Sequence, residues 1–301
     1  MNATKFFNYS FVFLFMISCN TKPKQTTVNK ASIIVPSENN SLKKALTFYT
    51  SFDDGTDAVF AKGDNHLYTV VNRKQVDSAQ LGLHKQGVTI AKSKGRYGDA
   101  LAYTEKSKGY IYYNSLGNIN YSKNAWEGAV SFWLSLNPDL DLKPGYCDPI
   151  QISDAGYNDA GLWVDFTKEN PRDFRLGVIG DRDSWNPNPE GPDNENPIFI
   201  QQLVVVDKPN FERGKWTHIV INFKDLNNNG KATIYVNGEL KGGRTKIKDS
   251  FTWEIEKSKI YLGLGYIGLM DEISIYNKYL SPEEIKHLYT LKNGVQDLLE
   301  K

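Results

Sequence analysis

Short segments in which apolar and polar residues alternate recur along the chain from Ala45 to Tyr276, separated by clusters of glycine, asparagine, aspartate and proline. Alternation with a period of two is typical of β-strands with one buried face, and turn residues at this spacing are typical of all-β domains. The predicted strands are Leu46–Phe52, Gly109–Tyr113, Ala129–Leu136, Pro149–Ser153, Gly161–Thr167, Phe174–Gly180, Phe199–Val206, Trp216–Phe223, Ala232–Val236, Lys259–Leu264 and Gly268–Tyr276. This pattern predicts an antiparallel sandwich or jelly roll.

One segment clearly predicts a helix. Ser281-Pro282-Glu283-Glu284 places serine at the N-cap, proline at the first helical position and glutamate three residues after the cap. This is a capping box. We expect a short C-terminal helix that packs through Ile285, Leu288 and Tyr289.

Two polar segments predict turns. Asn237-Gly238, between two strands, is typical of a two-residue hairpin. The asparagine-rich segment Asp225–Gly230 is interpreted as a plain turn, because it lacks the acidic spacing and the terminal glutamate of a calcium-binding loop.

The first 44 residues lack this strand pattern. Phe11–Ile17 is apolar but too short to span a membrane, and Met16-Ile17-Ser18-Cys19 resembles the cleavage site of a bacterial lipoprotein. We therefore predict a signal peptide over residues 1–19 with lipidation of Cys19, a flexible tether over 20–44 and one domain over 45–295. An ordinary secretory signal with an incidental cysteine is the alternative.

The charge and the cysteine content restrict the classes of binding partner and the cellular location that we expect. The net charge is +1, from 36 Lys and Arg against 35 Asp and Glu, which gives no field to attract nucleic acid or an anionic membrane. We therefore expect no nucleic-acid partner and membrane attachment through the lipid anchor alone. The only two cysteines, Cys19 and Cys147, argue against a disulfide framework. The predicted location is the bacterial cell envelope, in the periplasm or on the outer-membrane surface.

Seven segments in order resemble the laminin-G-like jelly roll of the concanavalin A-like lectin/glucanase superfamily. They are Tyr49–Gly55, Gly95–Leu101, Val130–Leu134, Lys215–Ile219, Ile234–Gly238, Gly268–Asn277 and Leu280–Ile285. The resemblance covers residues 45 to 292. It implies an all-β fold of two curved antiparallel sheets, one convex and one concave, with a short C-terminal helix and often a structural calcium ion near the first and last strands. Such domains are mainly sugar-binding or adhesive modules, and a minority of the superfamily are polysaccharide hydrolases or lyases.

Strand alternation also selects candidate binding residues. In each strand the apolar row belongs to the core and the opposite row faces away from it. The opposite rows collect indoles, an amide, a carboxylate, a guanidinium and an imidazole, which is the chemistry of sugar recognition. These residues are Trp133, Gln151, Trp163, Asp165, Arg175 and His218. The alternative is an ordinary hydrated sheet face on which Asp165 and Arg175 form a surface ion pair.

Two loops add to this hypothesis. Gly145–Pro149 precedes a predicted strand, and a long segment rich in proline and asparagine, Asp181–Pro197, follows the strand that carries Arg175. Long loops in small domains are commonly functional or disordered. We predict that Asp181–Pro197 overhangs the concave face and contributes Trp185 to the cleft; a mobile surface flap is the alternative.

Asp53, Asp54 and Asp271 are the candidate ligands of the calcium ion that the resemblance implies. Asp53 and Asp54 fall in its first motif and Asp271 in its sixth, on the last predicted strand, and oxygen ligands suit calcium. A turn or cap role for the first two is the alternative. The four histidines lie far apart in the sequence and predict no zinc site.

Catalytic motifs are missing from the sequence. There is no Glu-x-Asp-x-x-Glu pair, no Gly-x-Ser-x-Gly elbow and no phosphate loop. Enzyme activity remains an alternative in two forms. Cys147 would be a nucleophile paired with His218, or a cleft would use Asp148, Asp165 and His218 as acid and base.

The sequence thus favours a surface-anchored carbohydrate-binding module without catalysis, stabilised by calcium and acting beside polysaccharide-degrading partner proteins. Its ligand would be a polysaccharide or another glycan. A glycan-active enzyme and a protein-adhesion module are the alternatives.

Overall fold

The computed structural model of the chain describes residues 31–300. Its helices are α1 (Ala31–Ala45), α2 (Pro138–Asp141), α3 (Arg182–Trp185), α4 (Pro197–Gln201), α5 (Pro282–Thr290) and α6 (Gln296–Leu299). Its strands are β1 (Leu46–Thr50), β2 (Phe60–Ala61), β3 (Tyr68–Val70), β4 (Gln80–Leu81), β5 (Val88–Ala91), β6 (Ala100–Tyr103), β7 (Tyr110–Asn114), β8 (Trp126–Ser135), β9 (Cys147–Ser153), β10 (Gly161–Phe166), β11 (Phe174–Ile179), β12 (Val204–Val206), β13 (Thr217–Leu226), β14 (Gly230–Val236), β15 (Glu239–Ile247), β16 (Lys259–Leu264) and β17 (Gly268–Tyr276). No helix in this part of the chain is long and apolar enough to cross a membrane.

The strands form two antiparallel sheets. The first sheet has the order β15-β14-β13-β8-β17-β1-β2, and β6 and β5 extend it beside β17. The second sheet has the order β12-β11-β10-β9-β16-β7-β3-β4. This arrangement confirms the predicted two-sheet jelly-roll sandwich with a short C-terminal helix.

The main core lies between the sheets. Phe132 and Ile219 of the first sheet and Ile150 and Val164 of the second belong to one fully buried cluster. Each such side chain contributes about 1.5–3 kcal/mol through burial. Because neighbouring side chains on a strand point to opposite faces, the residues between these core positions lie on the two outer faces of the sandwich.

The outer face of the first sheet is covered by the N-terminal and C-terminal helices. The predicted capping box opens α5, with the Ser281 side chain bound to the Glu284 backbone N–H and the Glu284 side chain bound in return. Ile285 and Leu288 are buried against this sheet together with Leu42 of α1. The tether predicted over residues 20–44 is therefore wrong in its described part: α1 is helical and packs on α5 and α6, whereas residues 20–30 lie outside the described residues.

The segment between β11 and β13 departs from the predicted strand Phe199–Val206. Asn196 caps α4 through the backbone N–H of Ile198, and Pro197 occupies its first turn. These residues begin a helix over the first part of the segment, and only Val204–Val206 pairs with β11. As a result, the Phe199 side chain packs onto the outer face of the second sheet.

The Asn237-Gly238 hairpin forms as predicted, between β14 and β15. Both residues have positive φ values, 53° and 77°. A turn of the I′ type requires this at both central positions, which asparagine and glycine tolerate best.

Candidate functional site

The residues predicted to form one ligand site are divided between the two outer faces of the sandwich. Trp133 of β8 and His218 of β13 are paired across the first sheet. Trp163 of β10 and Gln151 of β9 are paired across the second. Because the core separates these faces, no single recess contains all the predicted residues, and that prediction is wrong. Alternation identifies the residues that face away from the core, but does not assign them to a sheet.

Trp133 and His218 are buried beneath the C-terminal helices. The Tyr289 ring of α5 stacks on Trp133, with centroids 5.7 Å apart and an interplanar angle of 22°. The Arg96 guanidinium lies 4.8 Å from the centre of the Trp133 ring. Trp133 is 4% exposed and His218 1%. Because Tyr289 of α5 stacks on both rings, these two side chains stabilise the contact between sheet and helix and do not offer a surface to a ligand.

Burial holds His218 neutral. Its Nε2 lies 2.8 Å from the Ser131 hydroxyl. Burial, followed by the nearby Arg96 charge, lowers the pKa of His218 from 6.5 to about 3. A depressed folded-state pKa means that the contribution to stability is complete above pH 6.5 and is lost as the pH falls towards 3. We expect this residue to lower the free energy of unfolding by about 1.4 kcal/mol for each pH unit between pH 6.5 and about 3.

Denaturant titrations of the wild type and His218→Gln at a series of pH values measure this effect as the difference between their unfolding free energies. The wild type should lose stability towards acid faster than the variant. His84→Gln removes an exposed histidine and serves as the control. Parallel curves for the wild type and His218→Gln would contradict the assignment.

A pocket opens on the outer face of the second sheet. Its empty volume, including the mouth, is about 450 Å³, within the range of small-molecule sites. Strands β9, β10 and β11 and the loop before β9 supply Tyr146, Asp148, Trp163, Asp165 and Arg175. Tyr157, Asn194 and Phe199 complete the wall from the neighbouring loops. Three of the predicted ligand residues, Trp163, Asp165 and Arg175, thus line one pocket.

Asp165 and Arg175 lie opposite each other on β10 and β11. The Arg175 Nε is 2.8 Å from Asp165 Oδ1, and its Nη2 is 2.5 Å from Oδ2. The two side chains are 12% and 5% exposed, so this is a buried ion pair and not the surface pair of the alternative interpretation. The guanidinium also lies 5.0 Å from the centre of the Tyr146 ring. The carboxylate uses two of the five guanidinium N–H donors and fixes the orientation of the others.

Asp148 is a second carboxyl group at the pocket wall. Burial, and then the charge of Asp165, raise the pKa of Asp148 well above its usual range, while Arg73 and Arg175 act in the opposite direction. Burial also raises the pKa of Asp165, against the effect of Arg175. The pocket therefore combines a carboxylate paired with a guanidinium and a carboxyl group that retains its proton more readily.

The Trp163 indole forms a fixed part of the pocket wall. Its Nε1 donates to the Tyr157 carbonyl at 2.7 Å, and Phe199 stacks on it with centroids 6.2 Å apart. A Cβ atom on Gly177, its partner on β11, would lie 2.2 Å from the ring, so glycine makes room for the indole. Trp185 belongs to the same buried cluster but does not line the pocket. The prediction that Trp185 contributes directly to the cleft is therefore corrected to a supporting position.

Gln151 lies on the same face as the pocket but is already bound. Trp163, Gln151, Tyr261 and Tyr112 are paired in one row across β10, β9, β16 and β7. The Gln151 Oε1 accepts a hydrogen bond from the Arg73 Nη2 at 2.6 Å, and Arg73 lies 4.1 Å from the centre of the Tyr261 ring. Gln151 therefore holds Arg73 on the aromatic row.

The insertion between β11 and β12 is tied to the sandwich by a buried carboxylate. Asp193 accepts hydrogen bonds from Arg182 Nε and Asn186 Nδ2, each at 2.7 Å, and also from the Asn158 amide. Asn158 lies in the turn before β10. The insertion is thus anchored on the second sheet, as the overhang hypothesis requires, and the alternative of a loose flap is not supported by these contacts.

Arg172 positions a loop of the pocket wall, and no sequence motif predicted it. Its Nη1 donates to the carbonyls of Gly145, at 3.0 Å, and Thr167, and its Nη2 donates to the Lys143 carbonyl at 2.9 Å. These bonds hold the loop that carries Tyr146. An arginine directly after Asn170-Pro171 is only a weak indication of such a role, because the carbonyl groups that it binds are brought together by the fold.

The candidate metal residues converge on one loop. Asp271 Oδ2 accepts from the backbone N–H groups of Arg96 and Tyr97 at 2.7 and 3.2 Å. Asp53 Oδ1 accepts from the Asp99 N–H at 2.7 Å, and Asp53 and Asp54 are both exposed. Within residues 31–300 no group of three or more His, Cys, Asp or Glu side chains is arranged to hold a metal ion. The carboxylate oxygens of Asp53 and Asp271 retain further lone pairs.

Cys147 does not line the pocket. Cys147 is buried in the core between the sheets, and burial raises the pKa of its thiol well above the usual range. Since His218 lies on the outer face of the first sheet, the proposed Cys147–His218 pair and the triad of Asp148, Asp165 and His218 are both wrong. Cys19 lies outside the described residues, so its lipidation stays a prediction.

Comparison with known proteins agrees with this architecture. A laminin G family model described as Concanavalin A-like lectin/glucanases superfamily matches residues 112–286. Domain 4 of AbnA, a GH43 extracellular arabinanase from Geobacillus stearothermophilus solved with arabinotriose, has 19% identity and a TM-score of 0.52. The match covers 82% of this chain and 98% of that domain. No curated protein sequence matches the chain.

A second solved structure is the ligand-binding domain of botulinum neurotoxin serotype D in complex with N-acetylneuraminic acid. It has 17% identity and a TM-score of 0.51, and the match covers 84% of this chain and 52% of that one. The chain therefore spans about half the length of the neurotoxin domain. At these identities the two structures are evidence for the fold alone.

Proposed function

The chain belongs to the concanavalin A-like lectin/glucanase superfamily, and from this premise we propose that it binds carbohydrate in the pocket on the second sheet. The observation that carries the proposal is the combination of aromatic rings with an oriented ion pair. The accessible rings of Tyr146 and Tyr157 and the buried indole of Trp163 line one pocket with Asp165 and Arg175. Rings stack on the CH groups of a sugar, while charged donors and acceptors bind its hydroxyl groups.

The related structures support the same ligand class. The arabinanase domain was solved with arabinotriose and the neurotoxin domain with N-acetylneuraminic acid. Both ligands are carbohydrates, although neither identifies the sugar that this chain binds.

A glycan array followed by calorimetry on the purified chain tests the proposal. Tyr146→Ala removes a partly exposed ring from the pocket and should weaken binding by about tenfold or more. Tyr279→Ala removes a ring of similar exposure near the first sheet and should leave affinity unchanged. Failure to bind any glycan would favour the protein-adhesion alternative, and equal affinity in both variants would exclude this pocket.

A glycan-active enzyme is the second candidate, favoured by the two carboxyl groups of the pocket. Hydrolysis of a glycosidic bond requires one carboxyl group that donates a proton and one carboxylate on the other side of the bond. Asp148, with its raised pKa, suits the first role. However, Arg175 binds both oxygens of Asp165, which lowers its nucleophilicity, so binding is the better supported function. New reducing or unsaturated ends that disappear in Asp148→Asn would establish catalysis.

Calcium is part of the proposal as a structural ion. Asp53 and Asp271 would bind it, and it would fasten the loop over residues 95–99 between the first and last strands. If the ion binds only the folded state, saturation at a hundred times its dissociation constant adds about 2.7 kcal/mol to the free energy of unfolding. We expect calcium to raise the melting temperature relative to EGTA in the wild type, and less in Asp271→Asn. Identical melting curves with calcium and with EGTA would contradict the ion.

We further propose attachment to the cell envelope through a lipidated Cys19, beside polysaccharide-degrading proteins. The support is the cleavage-site motif before Cys19 and the short apolar segment that precedes it. Metabolic labelling with a fatty acid, compared between the wild type and Cys19→Ala, tests this attachment.

A further inference from the structure

A second cavity adjoins the pocket on the outer face of the second sheet. Tyr146 and Asp148 line both, so they form a shared wall. The second cavity has an empty volume of about 610 Å³, including its mouth, and three lysines line it: Lys85, Lys106 and Lys108. A ligand that extends past the shared wall would therefore meet a basic surface.

Lys85 is a buried cation, in a residue only 7% exposed. Burial lowers the pKa of Lys85 to about 8, and no acidic side chain of residues 31–300 opposes this effect. A buried ammonium group is normally paired. An anionic group in this cavity would provide the missing partner.

The other polar groups around the cavity strengthen its positive character. The Lys106 ammonium donates to the Pro144 carbonyl at 3.2 Å, an uncharged acceptor. The Arg73 guanidinium lies 4.8 Å from the centre of the Tyr110 ring, which lines the cavity. Asp148, the acidic residue of the shared wall, has a raised pKa and retains its proton more readily than an ordinary carboxyl group. The cations are therefore not neutralised by the carboxyl groups described around them.

We propose that the lysine cavity is an anionic subsite, and that the ligand of this protein is an acidic glycan whose carboxylate or sulfate groups bind Lys85, Lys106 and Lys108. The inference rests on the proposed function, since the adjacent pocket would bind the neighbouring sugar. The basic character is local, because the whole chain has a net charge of only +1. Binding of an acidic glycan would therefore depend on this cavity and not on a general attraction of the chain to polyanions.

Calorimetry on the full chain with matched polymers tests the inference. Polygalacturonate is compared with its carboxyl-reduced form to test for a carboxylate ligand. Dextran sulfate is compared with dextran to test for a sulfate ligand. The wild type should bind at least one acidic polymer at least tenfold more tightly than its neutral form. The double variant Lys106→Gln/Lys108→Gln should bind the acidic polymer about tenfold more weakly than the wild type does. Lys85→Met should also weaken binding, and its melting temperature reports whether it folds.

The control is Lys215→Gln/Lys257→Gln, which removes the same charge from two exposed lysines that pair with glutamates elsewhere. It should bind as the wild type does. Equal losses in both double variants, or equal affinity for the acidic and neutral polymers, would overturn the anionic subsite and leave the proposed function intact. Absence of binding to every glycan would overturn both.

Discussion

Trp163→Ala and Trp133→Ala are each expected to lower the free energy of unfolding by about 3–5 kcal/mol, the usual cost of truncating a buried tryptophan, but only the first should impair glycan binding. Both indoles are almost fully buried. Trp163 lines the pocket, whereas Trp133 lies under α5 on the opposite face, stacked on Tyr289. The pair therefore separates the binding site from the stability of the fold.

Denaturant titration gives the stability of each variant, and calorimetry below the melting temperature gives its affinity. Because an alanine variant loses part of the fold, Trp163→Phe and Trp133→Phe repeat the comparison with an aromatic ring retained. We expect weakened binding in Trp163→Phe and unchanged binding in Trp133→Phe. Equal affinities in the two phenylalanine variants would show that the ligand does not contact the wall that Trp163 forms.

The same two residues show what the sequence can predict about the site. The strands around Trp133 and Trp163 have the same alternating pattern, and both indoles point away from the core as predicted. The two strands belong to different sheets, however, because β8 pairs with β13 and β17, whereas β10 pairs with β9 and β11. Strand pairing depends on contacts between residues far apart in the sequence, which local periodicity does not contain.

The fold was predictable where hydrophobic alternation is strong, and less so where an element depends on its neighbours. The edge strand β15 escaped prediction because most of its residues are polar or glycine and exposed, so it has no buried row. Helix α1 also escaped prediction. Its polar sequence is helical next to α5 and α6, on which Leu42 packs, and tertiary contacts of this kind outweigh weak local propensity.

The pocket combines predictable and unpredictable parts for the same reason. Asp165 and Arg175 were identifiable as polar members of rows that face away from the core. Arg172 and Asp193 were not, since their roles arise from hydrogen bonds that join separate loops. Such residues position Tyr146 and the insertion without lying in a motif.

Arg175→Met is expected to be the other strongly destabilising substitution, with a loss of about 3–5 kcal/mol in the free energy of unfolding near neutral pH, because it leaves a buried carboxylate without its cation. Asp165 and Asp148 then share a largely desolvated pocket, and their folded-state pKa values rise further. A carboxyl group with a raised pKa binds more protons in the folded than in the unfolded state. Stability therefore falls as the pH rises through that range, and the loss should shrink towards pH ~4.

Denaturant titrations between acid and neutral pH measure this loss, with Arg213→Met as the matched control. Arg213 pairs with Asp141 but is 70% exposed, so its removal should lower stability far less than the removal of Arg175 does. The double variant Asp165→Asn/Arg175→Met removes both charges and should be more stable than Arg175→Met alone. If Arg175→Met has no greater effect than Arg213→Met at neutral pH, the buried ion pair does not organise this pocket, and the oriented guanidinium on which the glycan site depends is lost with it.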